Sequence, residues 1–232
     1  MIDRQLNYGR HHIQRFLADA MPYHAVLDIG AGRGNDLALA REVQPAAQLH
    51  AIEVNRELAQ HLAEQGVDVY NLNIERDPFP FPDGLMDVVL ANQILEHTKE
   101  LFWVFHEVSR VLREGGSLII GVPNLASLHN RLLLMFGRQP TPLNNATAHV
   151  RGFTKFDILR VFATVFPGGY LLRNFGGSNF YPFPPALARP LAMALPGMAW
   201  GIFLRLEKRR PYCGEFLEFP TRLKLETNFF LG

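Results

Sequence analysis

Residues Asp28-Ile29-Gly30-Ala31-Gly32-Arg33-Gly34 place an acid two positions before a run of alternate glycines. Without Cβ atoms in the way, backbone N–H groups at a helix N-terminus can approach a ligand closely. A dinucleotide turn reads G-x-G-x-x-G, whereas this one reads G-x-G-x-G, and the Gly-Lys-Ser/Thr of a phosphate loop is absent. Asp28 would repel a pyrophosphate but attract a cationic amine. Glu53 lies 23 residues after Gly30, the placement at which a carboxylate accepts hydrogen bonds from both hydroxyls of a ribose. The pattern points to a nucleoside ligand that carries positive charge. The plain alternative is an ordinary strand-to-helix turn beside a solvated Glu53. No HxxxH, CxxC or clustered acid set marks a metal site, so no metal is expected, and no G-x-S-x-G marks a hydrolase.

The elements around these residues alternate. A leading helix is expected over Asp3 to Ala20, broken near Gly9 and ended before Pro22. Ala25 to Ile29 reads as a strand, and Asn35 as the cap of a helix running to Val43. Leu49 to Glu53 is a second strand, Asn55 to Gln65 a second helix, Val67 to Leu72 a third strand and Asp87 to Ala91 a fourth. Between the last two, Pro78, Pro80 and Pro82 exclude both a helix interior and a central strand, which leaves a rigid loop. From Thr98 to Arg113, apolar residues recur at helical spacing, with Gly115-Gly116 expected to end that helix. A fifth strand follows at Ser117 to Val122. Helices are then expected at Leu125 to Phe136 and Lys155 to Phe166, the latter capped by Thr154 and preceded by a polar excursion over Gly137 to Gly152. Sixth and seventh strands are placed at Tyr170 to Phe175 and Ile202 to Leu206. Strand–helix alternation of this kind builds a parallel sheet with crossover helices.

The composition bounds the function. The 232 residues are 48% apolar and 19% charged, with a formal net charge of +1. That is a globular chain with no global field to collect nucleic acid, so no nucleic-acid partner is expected. Its single cysteine, Cys213, makes no internal disulfide, which fits a reducing compartment. The first 25 residues lack the apolar stretch of a secretory signal, and a cytoplasmic location is expected. The longest apolar run, Leu191 to Leu204, contains Pro196 and is too short to span a bilayer. Followed by Glu207-Lys208-Arg209-Arg210, it raises a second expectation of peripheral membrane contact through residues 181–210. The alternative is that its aromatic residues cover the sheet edge and an acceptor pocket while its basic residues face water. The tail Tyr212 to Gly232 packs either on its own domain or on a second subunit.

Four motifs in order, VLDIGAGRGNDL, AIEVN, NIERDPFPFPDGLMDVVLANQILEHT and EVSRVLREGGSLIIGVPN, resemble the class I S-adenosylmethionine-dependent methyltransferases. The resemblance spans Ala25 to Asn124. It implies a Rossmann-like, doubly wound, seven-stranded and mostly parallel sheet whose last strand is antiparallel. It also divides the chain into an N-terminal lid helix over residues 1–24, a cofactor-binding core over 25–175 and an extension over 176–232 that holds the last strand and covers the acceptor site. Carried over by motif, Asp28, Gly30, Gly32 and Gly34 line the methionine and ribose part of S-adenosylmethionine, and Glu53, followed by Val54, holds the ribose hydroxyls. Asn73 and Ile74 flank the adenine. Many relatives have aspartate at the position of Asn73, and its amide oxygen accepts without charge. Asn92 and Gln93 border the methionine.

The resemblance implies methyl transfer to a small-molecule or lipid- or sugar-linked acceptor, with oxygen the expected atom. Holding acceptor and methyl in line and excluding water supplies much of such a rate. A hydroxyl acceptor must also lose its proton, and His97 and His149 are the candidate takers. For His97 the alternative is a structural role in the segment LEH. Arg151 and Tyr8 are expected at the acceptor; otherwise Arg151 pins its loop and Tyr8 closes the lid together with His11 and His12. A cofactor-binding interaction or membrane-docking protein of the same fold is the non-enzymatic alternative. An NAD-dependent oxidoreductase would need a dinucleotide in a turn of the wrong spacing.

Overall fold

The computed structural model describes residues 4–225; Asp3 and the tail residues 226–232 lie outside them. In chain order the elements are α1 (Arg10–Asp19), β1 (Ala25–Ile29), α2 (Asn35–Val43), β2 (Gln48–Ile52), α3 (Arg56–Glu64), β3 (Asp68–Tyr70), β4 (Met86–Asn92) and α4 (Leu101–Val111). There follow β5 (Leu112–Pro123), α5 (Leu128–Met135), α6 (Lys155–Val165), β6 (Tyr170–Ser178), α7 (Pro185–Ala194), β7 (Gly201–Lys208) and α8 (Glu215–Leu223). One seven-stranded sheet runs in the order β3-β2-β1-β4-β5-β7-β6. The pairs among β1 to β5 are parallel, and β7 lies antiparallel between β5 and β6. This is the doubly wound arrangement expected from the alternation.

Strand residues alternate between the two faces. Val26, Val88, Leu90, Ile119 and Phe203 pack beneath α1, α2 and α3. Leu27, Ile29, Val89, Ile120, Leu204 and Leu206 pack on the other face, beneath α4, α6 and α8. Burial of both faces explains why β1 and β4 read as unbroken apolar runs. The end of the sheet at the carboxyl termini of β1 and β4, where the chain order reverses, is where ligands bind in such folds.

Two local expectations are corrected. The helix expected to reach Arg113 stops at Val111, and Leu112 passes directly into β5. Asp87 is the cause: its carboxylate accepts from His24 N at 2.6 Å and Ala25 N at 2.9 Å and draws the Arg113 Nε to 2.5 Å. Gly115-Gly116 lies inside an irregular start of β5, not at a helix end; a Cβ on Gly116 would come within 2.9 Å of the Asp87 carbonyl. The cap of α2 is Gly34, in the left-handed region, rather than Asn35, which is the first residue of the helix.

The proline loop is rigid for a visible reason. Arg110 donates to Phe79 O at 2.8 Å, Phe81 O at 2.7 Å and Asp83 at 2.9 Å while gripping the buried Glu107 through both carboxylate oxygens. Near the C-terminus, Phe216 is fully buried among Phe105, Phe162 and Phe166, so α8 closes its own domain's core.

Candidate active site

Three turns of chain meet at the carboxyl ends of β1 and β4. Gly30, Gly32 and Gly34 all take left-handed φ angles, of 72°, 55° and 76°. Gly30 needs to be glycine twice over, since a Cβ there would also lie 2.6 Å from Ile94. The turn is tied to β2 by Gly30 N donating to Ile52 O at 2.8 Å and Gly32 N donating to the Glu53 carboxylate at 2.8 Å. After β4 the chain turns sharply at Gln93, a left-handed residue with φ 56° whose N–H donates to Gly121 O.

A cavity of about 300 Å³ opens among these turns, lined by Tyr8, Asp28, Gly30, Gly32, Asn92 and Gln93 as expected and by Arg10, Arg33, Asn35 and Asp36 besides. Asn92 Nδ2 donates to Asp36 Oδ2 at 2.7 Å and to Tyr8 O at 3.1 Å, linking β4, α2 and the N-terminal segment. The Arg10 guanidinium sits 4.8 Å from the Tyr8 ring centre and 3.9 Å from Asp36. Tyr8 itself is 41% exposed at the rim.

The electrostatics favour a cationic ligand. Burial, reinforced by the neighbouring Asp36 and Glu53 charges, pushes Asp28 well above the usual carboxylate range, and burial also raises Asp36. Asp28 and Asp36 in the cavity wall and Glu53 beside it repel one another, and a sulfonium and an α-ammonium relieve that repulsion where a pyrophosphate would increase it. Asp36 Oδ1, Asn92 Oδ1 and Gln93 Nε2 are buried without a hydrogen-bond partner. A buried polar atom left in that condition costs on the order of 1–3 kcal/mol. These residues fit S-adenosylmethionine.

Residues 27–120 match the model of the methyltransferase domain family. A Mycolicibacterium smegmatis protein named as an S-adenosylmethionine-dependent methyltransferase is 30% identical over 161 residues, covering 68% of this chain and 57% of its own length. The core of this chain is a class I methyltransferase domain. A malonyl-[acyl-carrier protein] O-methyltransferase from Herminiimonas arsenicoxydans is 29% identical over 113 residues, covering 49% of this chain and 42% of its own. The structure of the plantazolicin methyltransferase BpumL in complex with S-adenosylhomocysteine superposes with a TM-score of 0.62 at 15% identity, covering 89% of this chain and 86% of that one; this likeness concerns the fold. The chain spans between 33% and 57% of the length of the curated relatives it matches first.

The other expected cofactor residues lie beside the cavity or behind it. Glu53 is 7% exposed, with Oε2 on Gly32 N and Oε1 on Asn55 N, both at 2.8 Å. Val54 is 67% exposed, and its carbonyl, like that of Glu53, accepts from Asn71 Nδ2. Asn73 Oδ1 accepts from Glu75 N at 2.9 Å, and Ile74 is buried in the core. Gly34 serves the domain as the α2 cap, packed toward Leu62.

The polar excursion brings a second group together. Val150 N and Arg151 N donate to Glu96 O at 2.8 and 3.2 Å, which lays His149 against His97 with ring centres 4.7 Å apart. Arg151 spans this junction, donating from Nε to Thr98 O at 3.0 Å and from Nη2 to Lys99 O at 2.5 Å. It also lines a second cavity of about 360 Å³ with Phe105, Phe153 and Asp157. Arg10 belongs to the N-terminal segment expected to lid the cofactor, whereas Asp36 left only a faint signal in the sequence: an acid in the first turn of α2, the usual partner of a helix dipole.

Within the extension over 181–210, β7 and the basic residues after it are engaged internally, while Leu187 and Met193 of α7 are exposed. β7 buries Ile202, Phe203, Leu204 and Leu206, and Lys208 Nζ donates to Ser109 O and Leu112 O at 2.7 and 2.6 Å. Arg209 pairs with Glu207, and Arg210 with Glu215, so this basic cluster faces its own domain. Among the described residues no helix is long and apolar enough to cross a membrane.

Proposed function

We propose that the protein methylates a small-molecule acceptor from S-adenosylmethionine, at oxygen. The observation that carries this reading is the cavity lined by Asp28 and Asp36 at the carboxyl ends of β1 and β4, with Glu53 held against the glycine turn beside it. The cofactor supplies an electrophilic methyl group on a sulfonium. Glu53 holds the ribose, Asp28 and Asp36 face the positive end, and Asn92 and Gln93 in the cavity wall orient it. Tyr8 and Arg10 close the rim and exclude water.

The oxygen assignment is supported by the two histidines. His97 Nδ1 lies 3.3 Å from Ala148 O, and His149 Nδ1 lies 3.1 Å from Pro142 O. A proton on each Nδ1 makes these hydrogen bonds and leaves an Nε2 lone pair to accept the acceptor's proton. Burial and the adjacent His97 hold the His149 pKa below the ordinary histidine value, which favours the neutral form. The O-methyltransferase relative agrees with this reading.

The second reading, a cofactor-binding docking protein or one that meets a lipid-linked acceptor at a membrane, draws on one feature. Helices α5 and α7 share a small apolar cluster through Leu128, Ala188 and Ala192, yet leave Leu134, Met135, Phe136 and Met193 exposed.

Calorimetric titration with S-adenosylmethionine and S-adenosylhomocysteine, with NADH as control, tests the cofactor. A mass-spectrometric screen of hydroxylated acceptors then tests the reaction. Micromolar binding of the first two ligands is expected. A folded protein that binds neither, or binds only NADH, overturns the proposal.

A further inference from the structure

Glu96, His97 and His149 carry a feature that methyl transfer does not require. Glu96 is 1% exposed on a 3-10 turn directly after β4, and its Oε2 is buried without a hydrogen-bond partner. His97 is exposed and His149 half-buried. One ligand atom from each of the three residues lies within 4.8 Å of the other two.

We infer that Glu96, His97 and His149 form a binding site for a divalent transition-metal ion of the zinc class, with a coordination position open to solvent. The donor set is one carboxylate oxygen and two imidazole nitrogens, the combination that binds zinc with water in the fourth place. Both rings are already set for ligation. Each places Nδ1 against a backbone carbonyl, Ala148 O for His97 and Pro142 O for His149, which fixes the tautomer and directs the Nε2 lone pair elsewhere. Metal–nitrogen distances near 2.0–2.1 Å in a tetrahedral site put ligand atoms roughly 3.4 Å apart. The three groups therefore need to close by little more than an ångström, and two of them ride on exposed or half-exposed side chains.

The buried carboxylate gives the same answer from energetics. Glu96 is buried with its Oε2 unpartnered. An ionised carboxylate without a counter-charge is costly in such a place, and a divalent cation is the counter-charge the geometry accommodates. The backbone bonds from Val150 and Arg151 to Glu96 O hold the excursion over the turn, so a bound ion would clamp residues 137–152 to the end of β4. Glu96 follows Gln93, a wall of the cofactor cavity, by three residues. Bound metal and proton acceptance compete for the same two lone pairs, so the loaded protein cannot use these imidazoles as bases.

The test requires no methyl transfer. The full chain, freed of any polyhistidine tag and of metal, is titrated with Zn2+ by calorimetry and with Co2+ by visible absorption. The variants are His97→Ala, His149→Ala and Glu96→Gln, with His61→Ala, an exposed histidine on α3, as the control. The expected result is one Zn2+ per chain and the d–d bands of a low-coordinate Co2+ complex, with affinity lowered roughly 100-fold or more in each of the three variants and unchanged in the control. Glu96→Gln is isosteric, and the urea midpoint of every variant reports its folding. Absence of stoichiometric binding by the folded wild type, or equal binding by folded His97→Ala and His149→Ala, overturns the inference.

Discussion

Gly30→Ala is the sharpest test of how the cofactor turn is built. Gly30 has φ 72°, and an added Cβ would lie 2.6 Å from both Cγ1 and Cδ1 of Ile94. The left-handed conformation costs an alanine about 1–2 kcal/mol. The overlap adds about 1–2 kcal/mol, the lower part of the overpacking range, because the outer atoms of a half-buried isoleucine can turn away. The sum is about 2–4 kcal/mol, within the 5–15 kcal/mol typical of a whole domain, so the variant folds and can be measured. Urea denaturation followed by circular dichroism gives the difference. Ile94→Ala then separates the two costs: in the double variant both 2.6 Å overlaps disappear, leaving the conformational cost and a 3.2 Å contact with the Cβ of residue 94 that small shifts relieve, so the pair is non-additive by about 1–2 kcal/mol. A Gly30→Ala protein within about 0.5 kcal/mol of wild type, the spread of inconsequential substitutions, refutes the reasoning. Strict additivity with Ile94→Ala refutes the overlap alone.

Three other outcomes follow from the same structure. Glu53 uses one lone pair on each oxygen for Gly32 N and Asn55 N, leaving two for a ribose; Glu53→Gln turns an NH2 toward one of these donors and should weaken S-adenosylhomocysteine binding by about 2–3 kcal/mol, or roughly 30–150-fold in calorimetry. An unchanged Kd would remove Glu53 from the site. Arg110→Ala strips Glu107, 2% exposed, of its guanidinium and should cost about 3 kcal/mol in urea denaturation, part of it recovered by adding Glu107→Gln; a loss below about 1 kcal/mol, the level of a surface ion pair, would show that the proline loop is held by other means. His12, stacked on Phe203 and bonded through Nε2 to Gly177 O at 2.8 Å, has its pKa lowered by burial to about 4. The unfolded chain binds that proton near pH 6.5 and the native protein does not, so stability is full above 6.5 and declines as pH falls toward 4, by at most about 3 kcal/mol. Subtracting the profile of His12→Gln isolates this contribution, and a flat difference across that window would contradict it.

What could be read from the chain follows the range of the interactions involved. β1, β4 and β5 announce themselves because strands buried on both faces need apolar residues at every position, and the cofactor turn does so because its glycines answer to local backbone geometry. The end of α4 depends instead on Asp87, 26 residues from Arg113, and neither residue marks a helix boundary by itself. Lys208, Arg209 and Arg210 look like a surface cluster until Ser109, Leu112, Glu207 and Glu215 are seen to receive them. The histidines show the limit most clearly. Spacing along the chain offers His97 and His149 only as separate bases, because it tests neighbours alone. Two backbone N–H groups folding onto Glu96 O bring the three side chains together. A donor set assembled across 53 residues of sequence has no spacing signature, and its chemistry belongs to the fold that joins the excursion to the end of β4.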